Sequence, residues 1–383
     1  MRPISEEKYE KLVHFLQENQ LDVLMILDYE ESPNVNLHYL SGHPSDAFLL
    51  IDSSGESVLA PWDINIAEKH SKVDEIIDLG NFKYNWTLAI KDLIENKWNK
   101  KAAIAGVETF FPYGQIIKMK SLVPGIKFFK EPLKLTNFLI KLRATKSDFE
   151  IQQLKKAAEI GNKTINDITN FCKNGIDKTE KDLSFLVRKK VEEYGGDDIA
   201  FETLVANSNR SHEIHQYPSA STQRFANPGL ALVDFGAKYQ GYHSDVTVPI
   251  SFGELTAEQI KIKDLTEKIY DTVLEMIEVG IPTWKLHDTA EQMIKDGGFS
   301  MPYSLGHGLG LSVHDAPIIT RKPTDEYSLK YWKEETIRDG MVFTIEPGII
   351  KKGIGGTRIE NDVAVHNGKV EVITKSEPIF IPL

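Results

Sequence analysis

Leu230-Ala-Leu-Val-Asp234-Phe-Gly236 and Gly241-Tyr-His-Ser-Asp245-Val-Thr-Val248 are two apolar stretches, each with an aspartate set inside it. Aspartate is depleted in strands, and a buried carboxylate without a partner either costs free energy or shifts its pKa. If the chain reverses around Tyr239-Gln240, each aspartate lies five positions from its nearest turn residue. On that register the two oppose each other across an antiparallel pair, with Cβ atoms about 5 Å apart. Two anions so placed repel unless a cation sits between them.

The same arrangement recurs near the C-terminus. Met341-Val-Phe-Thr-Ile-Glu346 reads as a strand ended by Pro347-Gly348, and Thr357-Arg-Ile-Glu360-Asn-Asp-Val-Ala-Val365 reads as its mate. The midpoint of Glu346 and Glu360 is Gly353, inside the loop Lys352-Gly-Ile-Gly-Gly356, so a second hairpin offers a second opposed pair. A single strand carboxylate is more often just exposed; two opposed pairs point to bound cations. Between the hairpins, Ser304-Leu-Gly-His307-Gly-Leu-Gly-Leu-Ser-Val-His314-Asp-Ala-Pro317 carries two histidines seven apart in a glycine-rich loop. Small residues there allow close backbone approach. Four carboxylates and one imidazole form a hard, oxygen-rich set suited to two Mn²⁺, Co²⁺ or Zn²⁺ ions. Such ions could lower the pKa of a water and polarise a carbonyl.

Outward from these motifs, helical periods are clear. Glu6–Glu18 places Tyr9, Leu12, Val13 and Leu16 on one face. Val23–Leu27, Ala47–Ile51, Ser57–Ala60 and Ala102–Ala105 are short apolar strands, with a helix expected over Trp86–Trp98. Helices alternating with such strands predict a small α/β layer domain. Ser147-Asp-Phe-Glu150 is a capping box opening a long helix, Lys178–Glu193 is a second helix, and Thr256-Ala-Glu-Gln259 caps a third. A fourth spans about Trp284–Lys295, and runs of strands set apart from these helices indicate α+β.

The 383 residues suffice for two domains of roughly 100–200 residues each. Net charge is −11, from 45 basic and 56 acidic residues, which disfavours nucleic acid, whose phosphates need clustered Lys and Arg. Apolar runs fall short of the roughly 20 residues that span a membrane, and the N-terminus from Met1-Arg2 has no leader-like apolar core. A lone cysteine, Cys172, permits no intrachain disulfide, so the expected compartment is the cytoplasm. Expected partners are therefore neither membrane nor nucleic acid.

In order and spacing, Asp-Phe-Gly, Ser-Asp-Val-Thr, Gly-His-Gly-Leu-Gly, Thr-Ile-Glu-Pro-Gly and Arg-Ile-Glu resemble the pita-bread metallopeptidases, which include Xaa-Pro aminopeptidase, prolidase and methionine aminopeptidase. Residues 21–51, with Ser32-Pro-Asn-Val-Asn-Leu-His-Tyr-Leu-Ser-Gly42, resemble the creatinase/prolidase N-terminal domain, and Leu142-Arg-Ala-Thr-Lys-Ser147 the start of its catalytic domain. The resemblance implies an α/β domain over residues 1–135 and a larger α+β pita-bread domain over 136–383. It also implies a homodimer acting on peptides. Methionine aminopeptidases usually lack the N-terminal domain, so the proline-directed branch is favoured, with Xaa-Pro aminopeptidase preferred to Xaa-Pro dipeptidase.

By the same resemblance Asp234, Asp245, His307, Glu346 and Glu360 would hold two divalent ions, Mn²⁺ or Co²⁺ foremost. Glu346 would double as general base, His314 would steady the substrate, and Arg358 and Thr247 would orient the carboxylates. His215 matches the upstream site histidine, with His212 competing because the gap to Asp234 is about two residues longer than usual. Val248 stands where the family usually has arginine, and Ile349-Ile350 where it often has tyrosine. Many prolidases carry an arginine soon after the second histidine; here the nearest cation is Arg321, which favours longer peptides over dipeptides. A creatinase-like amidinohydrolase or an inactive peptide-binding relative would generally lack the ligands that this chain retains.

Overall fold

The computed structural model describes residues 3–30, 32–98, 103–301 and 303–383. Met1, Arg2 and Ala102, which entered the readings above, lie outside them. Packing divides the chain into two compact units, Met1–Leu142 and Arg143–Leu383. Helix Pro132–Ala144 runs without a break through residue 135, so the division falls seven residues beyond the boundary expected from sequence.

In the first unit, Ser5 caps helix Glu6–Glu18, which buries Tyr9, Leu12, Phe15 and Leu16. Strands β1 (Val23–Asp28), β2 (Ala47–Asp52), β3 (Ser57–Pro61), β4 (Glu75–Ile76), β5 (Ala103–Gly106) and β6 (Ile126–Phe128) form one sheet in the order β4-β3-β2-β1-β5-β6. β1 and β3 are buried along their whole length, which explains their unbroken apolar runs. The helix expected over Trp86–Trp98 is α-helical only to Asp92, and Leu93–Lys97 closes with wider π-type bonds.

The second unit carries β7 (Asp198–Ile199), β8 (Leu204–Ala206), β9 (Gly229–Phe235), β10 (Ala237–Tyr239), β11 (Tyr242–His243), β12 (Val246–Phe252), β13 (Gly306–Gly308), β14 (Asp315–Ile319), β15 (Val342–Ile345), β16 (Gly348–Lys351), β17 (Gly355–Arg358), β18 (Asn361–His366), β19 (Lys369–Val372) and β20 (Ile379–Ile381). Its two largest sheets run β20-β12-β9-β8 and β14-β13-β15-β18-β19. Capping boxes at Ser147, Thr179 and Thr256 open helices Asp148–Asn174, Glu180–Glu193 and Ala257–Met276, each cap worth about 1 kcal/mol.

Strand alternation then decides which side chains meet. Ala231, Val233 and Phe235 of β9, with Val246, Val248, Ile250 and Phe252 of β12, pack into one core with Ile160, Ile165, Ile168, Leu183 and Val187 of the first two helices. Phe343 and Ile345 of β15, with Val363 and Val365 of β18, pack with Ile262, Ile269, Leu286 and Ala290 from helices Ala257–Met276 and Thr283–Asp296. The residues that alternate with or directly precede these, Asp234, Thr247, Thr344 and Asp362, therefore point to the opposite faces, away from both helix layers. Val248, at the place of the family's usual arginine, belongs to the core side and has no access to those faces.

One expected register needs correction. Asp234 pairs with Thr247, not with Asp245. Tyr239 pairs with Tyr242, so the turn is Gln240-Gly241, with φ of 47° and 82°. A two-residue turn needs two left-handed residues, and glycine supplies the second without strain. The reversal thus lies one residue later than Tyr239-Gln240, which moves the register by two. Because side chains alternate with period two, that shift keeps Asp245 on the face of Asp234, one step along. The other hairpin follows the expected register: Ile345 pairs with Asn361 and Gly348 with Arg358, which centres the turn on Gly353.

Candidate metal centre

Asp245, at the foot of β12, and Glu360, between β17 and β18, meet His307 of β13 with ligand atoms mutually within 4.8 Å. His307 Nε2 lies 3.5 Å from Asp245 Oδ2 and 3.6 Å from Glu346 Oε1. Its Nδ1 is 3.2 Å from the Gly308 carbonyl; a proton donated there leaves the Nε2 lone pair facing the carboxylates. The glycines flanking His307 are required by close approach. A Cβ on Gly306 would strike the Thr344 carbonyl, and one on Gly308 the Ala316 carbonyl.

Thr247 ties the two hairpins together. Its hydroxyl donates to Glu360 Oε2 at 2.6 Å and accepts from Arg358 Nε at 2.9 Å, while its carbonyl accepts from the Glu360 amide at 3.4 Å. Arg358 Nη2 donates to Asp234, while its Nε stands 3.9 Å from Glu360 Oε2. The guanidinium therefore spans the carboxylates of both hairpins. The Arg358→Lys variant, which keeps the charge but loses the planar fork, is expected to lose roughly 10- to 100-fold in metal affinity or activity. Metal titration with turnover at saturating metal checks this; a variant equal to the parent in both would exclude an orienting role.

His314 is exposed, with its ring centroid 4.3 Å from that of His307. The next residue, Asp315, is buried and gripped by Arg143, with Nη2 to Oδ1 at 3.1 Å and Nε to Oδ2 at 3.3 Å. His215 is exposed and is an electrostatic neighbour of both Asp234 and His314; His212 is half-buried.

Asp362 escaped the sequence reading. It accepts the Asp245 amide on both oxygens at 3.2 Å and is 1% exposed. Its place two residues after Glu360, on the same face of a strand, was the available signal. The Arg143–Asp315 pair had none, since its members are 172 residues apart.

Burial dominates the electrostatics. It lifts the Asp234 carboxyl to about 7, with Arg358 pulling the other way and Glu360 adding to the rise. Asp245 is pushed well above the carboxylate range by burial, then by Glu360, Asp234, Asp362 and Glu346. Burial also raises Glu346, Glu360 and Asp362, and lowers His307 and His314. Five carboxylates against the Arg358 guanidinium leave four uncompensated negative charges when all are ionised, which two dications would offset. Asp234 Oδ1 is buried and makes no hydrogen bond among the described residues. A crowded, desolvated, partly unpartnered set of oxygens with one imidazole fits a divalent metal centre.

Comparison with known proteins decides the family. Residues 152–367 match the model of metallopeptidase family M24, and residues 8–144 match the creatinase/prolidase N-terminal domain. The chain belongs to metallopeptidase family M24. It is similar to the Xaa-Pro dipeptidase of Pyrococcus horikoshii, 29% identical over 381 residues and covering 98% of each chain. The crystal structure of the prolidase from Pyrococcus horikoshii OT3 superposes with a TM-score of 0.80 at 27% identity, over 97% of this chain and 99% of that one. The Xaa-Pro dipeptidase from Bacillus anthracis gives 0.82 at 25% identity, over 98% and 99%. This M24 chain is thus a metal-dependent exopeptidase of two domains, the smaller creatinase-like and the larger of pita-bread type. Among the described residues no helix is long and apolar enough to cross a membrane.

Proposed function

We propose that this M24 peptidase hydrolyses the Xaa-Pro bond of dipeptides, using Asp234, Asp245, His307, Glu346 and Glu360 to hold two divalent ions, Mn²⁺ or Co²⁺ foremost and Zn²⁺ after them. The observation that carries the reading is the convergence of Asp245, His307 and Glu360 on one point, with Glu346 3.6 Å from the same imidazole. Ions bound there would supply an acidified water and a polarised carbonyl.

The chain's own residues do the rest. Glu346 is 15% exposed, the most open of the carboxylates whose exposure bears on the choice, and its raised pKa suits it to take a proton from water and return it to the leaving proline nitrogen. His314 and His215, both exposed and electrostatic neighbours of Asp234, would meet the peptide. Burial, followed by the proximity of His307 and then His215, lowers the His314 pKa and favours a neutral ring able to donate one hydrogen bond. Arg358 and Thr247 hold the carboxylates still, and Arg143 braces the segment bearing His314 through Asp315. A reducing compartment, the cytoplasm, and assembly as a homodimer belong to the same proposal.

Dipeptides are preferred because the similar proteins are named Xaa-Pro dipeptidase. Longer peptides are the second reading, favoured by one observation: Arg321, the nearest cation after His314, is 54% exposed and faces Glu291 at 3.6 Å, so its charge is already engaged. Turnover of an Xaa-Pro dipeptide against an Xaa-Pro-Xaa tripeptide, before and after chelation and with Mn²⁺, Co²⁺ or Zn²⁺ restored, tests the proposal. Metal-dependent cleavage with the dipeptide faster is expected. A faster tripeptide would move the assignment to an aminopeptidase, and cleavage that survives chelation would end it.

A further inference from the structure

Tyr303 stands four residues before His307, outside the set of carboxylates and imidazoles that would hold the metal ions. Its hydroxyl is buried beside the Arg358 guanidinium, which can only donate to the phenol oxygen, and its own proton meets no acceptor among the described residues. It is pressed against the turn that follows Glu346: a Cβ at Gly348 would collide with the phenol oxygen. Arg358 Cβ borders the same position, and Arg358, Glu346 and Glu360 all act on the hydroxyl electrostatically, so it lies at the edge of the carboxylate cluster. Buried hydroxyls normally have partners, and one left open at a reaction centre marks a place where a ligand atom completes the bond. A phenol in this setting stays protonated, because burial raises it further above neutral pH.

We infer that the Tyr303 hydroxyl is a catalytic hydrogen-bond donor, kept for the oxygen of the scissile carbonyl as that oxygen gains negative charge. The acceptor it awaits is an anionic oxygen on a tetrahedral carbon. The glycine at 348 is explained by the same placement, since any side chain there would displace the hydroxyl from the centre. This inference rests on the hydrolysis proposed above and adds a donor to it.

The Tyr303→Phe variant removes one O–H and keeps the ring. The expected result is a kcat about 10²-fold lower with KM within about twofold, the usual cost of one donor at a developing oxyanion. Metal content should be unchanged. Because the hydroxyl proton has no acceptor in the free protein, the melting temperature of both metal-free and metal-loaded protein should be close to or higher than the parent's. A phosphinic peptide, which mimics the tetrahedral carbon, should bind about 10²-fold more weakly, while free proline, which lacks that oxygen, binds as before. Unchanged kcat, or a lower melting temperature with kcat intact, would overturn the assignment and leave a structural tyrosine. Loss of bound metal would overturn it too, by making the phenol part of the metal's surroundings. Measured on whichever N-terminally free peptide the parent cleaves fastest, the comparison stays informative if Xaa-Pro dipeptides are not the substrate. Failure of the parent on those dipeptides is a separate result and counts only against the substrate assignment.

Discussion

Glu346→Gln is expected to lower kcat by about 10²- to 10⁴-fold on the best Xaa-Pro substrate, the range typical of a lost general base. The substitution is nearly isosteric, so packing between the ends of β15 and β16 should survive. Glutamine keeps a carbonyl oxygen in place of one carboxylate oxygen but cannot carry a proton back and forth at neutral pH. Glu346 is also a proposed ligand, 3.6 Å from His307, so a weaker metal site alone could depress turnover. The two effects separate at saturating metal: restored stoichiometry with kcat still depressed identifies the proton-transfer role. A variant that regains parental kcat once metal is restored would reduce Glu346 to a ligand.

The second large effect is on the metal-free protein. Chelated protein is expected to lose stability as pH rises, by roughly 5 °C or more in melting temperature between about pH 5 and about pH 8. The sign follows from the raised pKa values. Asp234 titrates near 7 when folded and from the ordinary 3.8 when unfolded, so between these values the folded state holds a proton that the unfolded state has released. Stability from this source is full below the unfolded value and is lost as pH climbs through the folded one. Asp245, Glu346 and Asp362, raised well above their ordinary range by burial, extend the loss to higher pH. Metal reverses the trend, because ions take the deprotonated carboxylates and bind more tightly as pH rises. Melting curves across that range, with and without Mn²⁺, should therefore diverge with increasing pH. Parallel curves would mean that these carboxylates do not form a metal centre.

Much of the second hairpin could be read directly. Glu346 and Glu360 lie symmetrically about Gly353, and glycines at the tip announce the turn, so the pairing follows from local spacing. The first hairpin was less legible. Tyr239-Gln240 and Gln240-Gly241 are both plausible reversals by spacing, and only the left-handed pair at 240 and 241 sets the register. The face of Asp245 survived that error because a two-residue slip preserves alternation, whereas a one-residue slip would have put it in the helix-facing core. Helix starts were legible from the capping boxes at Ser147 and Thr256, since such a cap is made within four residues, whereas the box at Thr179 went unread and that helix starts at Glu180 rather than Lys178. The exposed His215 was harder, because it lies on an irregular segment where no period ties a side chain to a face.

From sequence alone came the helical stripes, the buried runs of β1 and β2, the acidic residues on apolar strands and the glycines around His307. All of these are encoded between neighbours a few positions apart, where backbone period fixes direction. Tertiary structure alone decided that Thr247 would bond Glu360, that Asp362 would accept the Asp245 amide, and that Arg143 would grip Asp315. It also brought the Tyr303 hydroxyl to the cluster with no acceptor for its proton. These contacts join residues more than 100 positions apart or depend on how two sheets close on each other, and no local period carries that information.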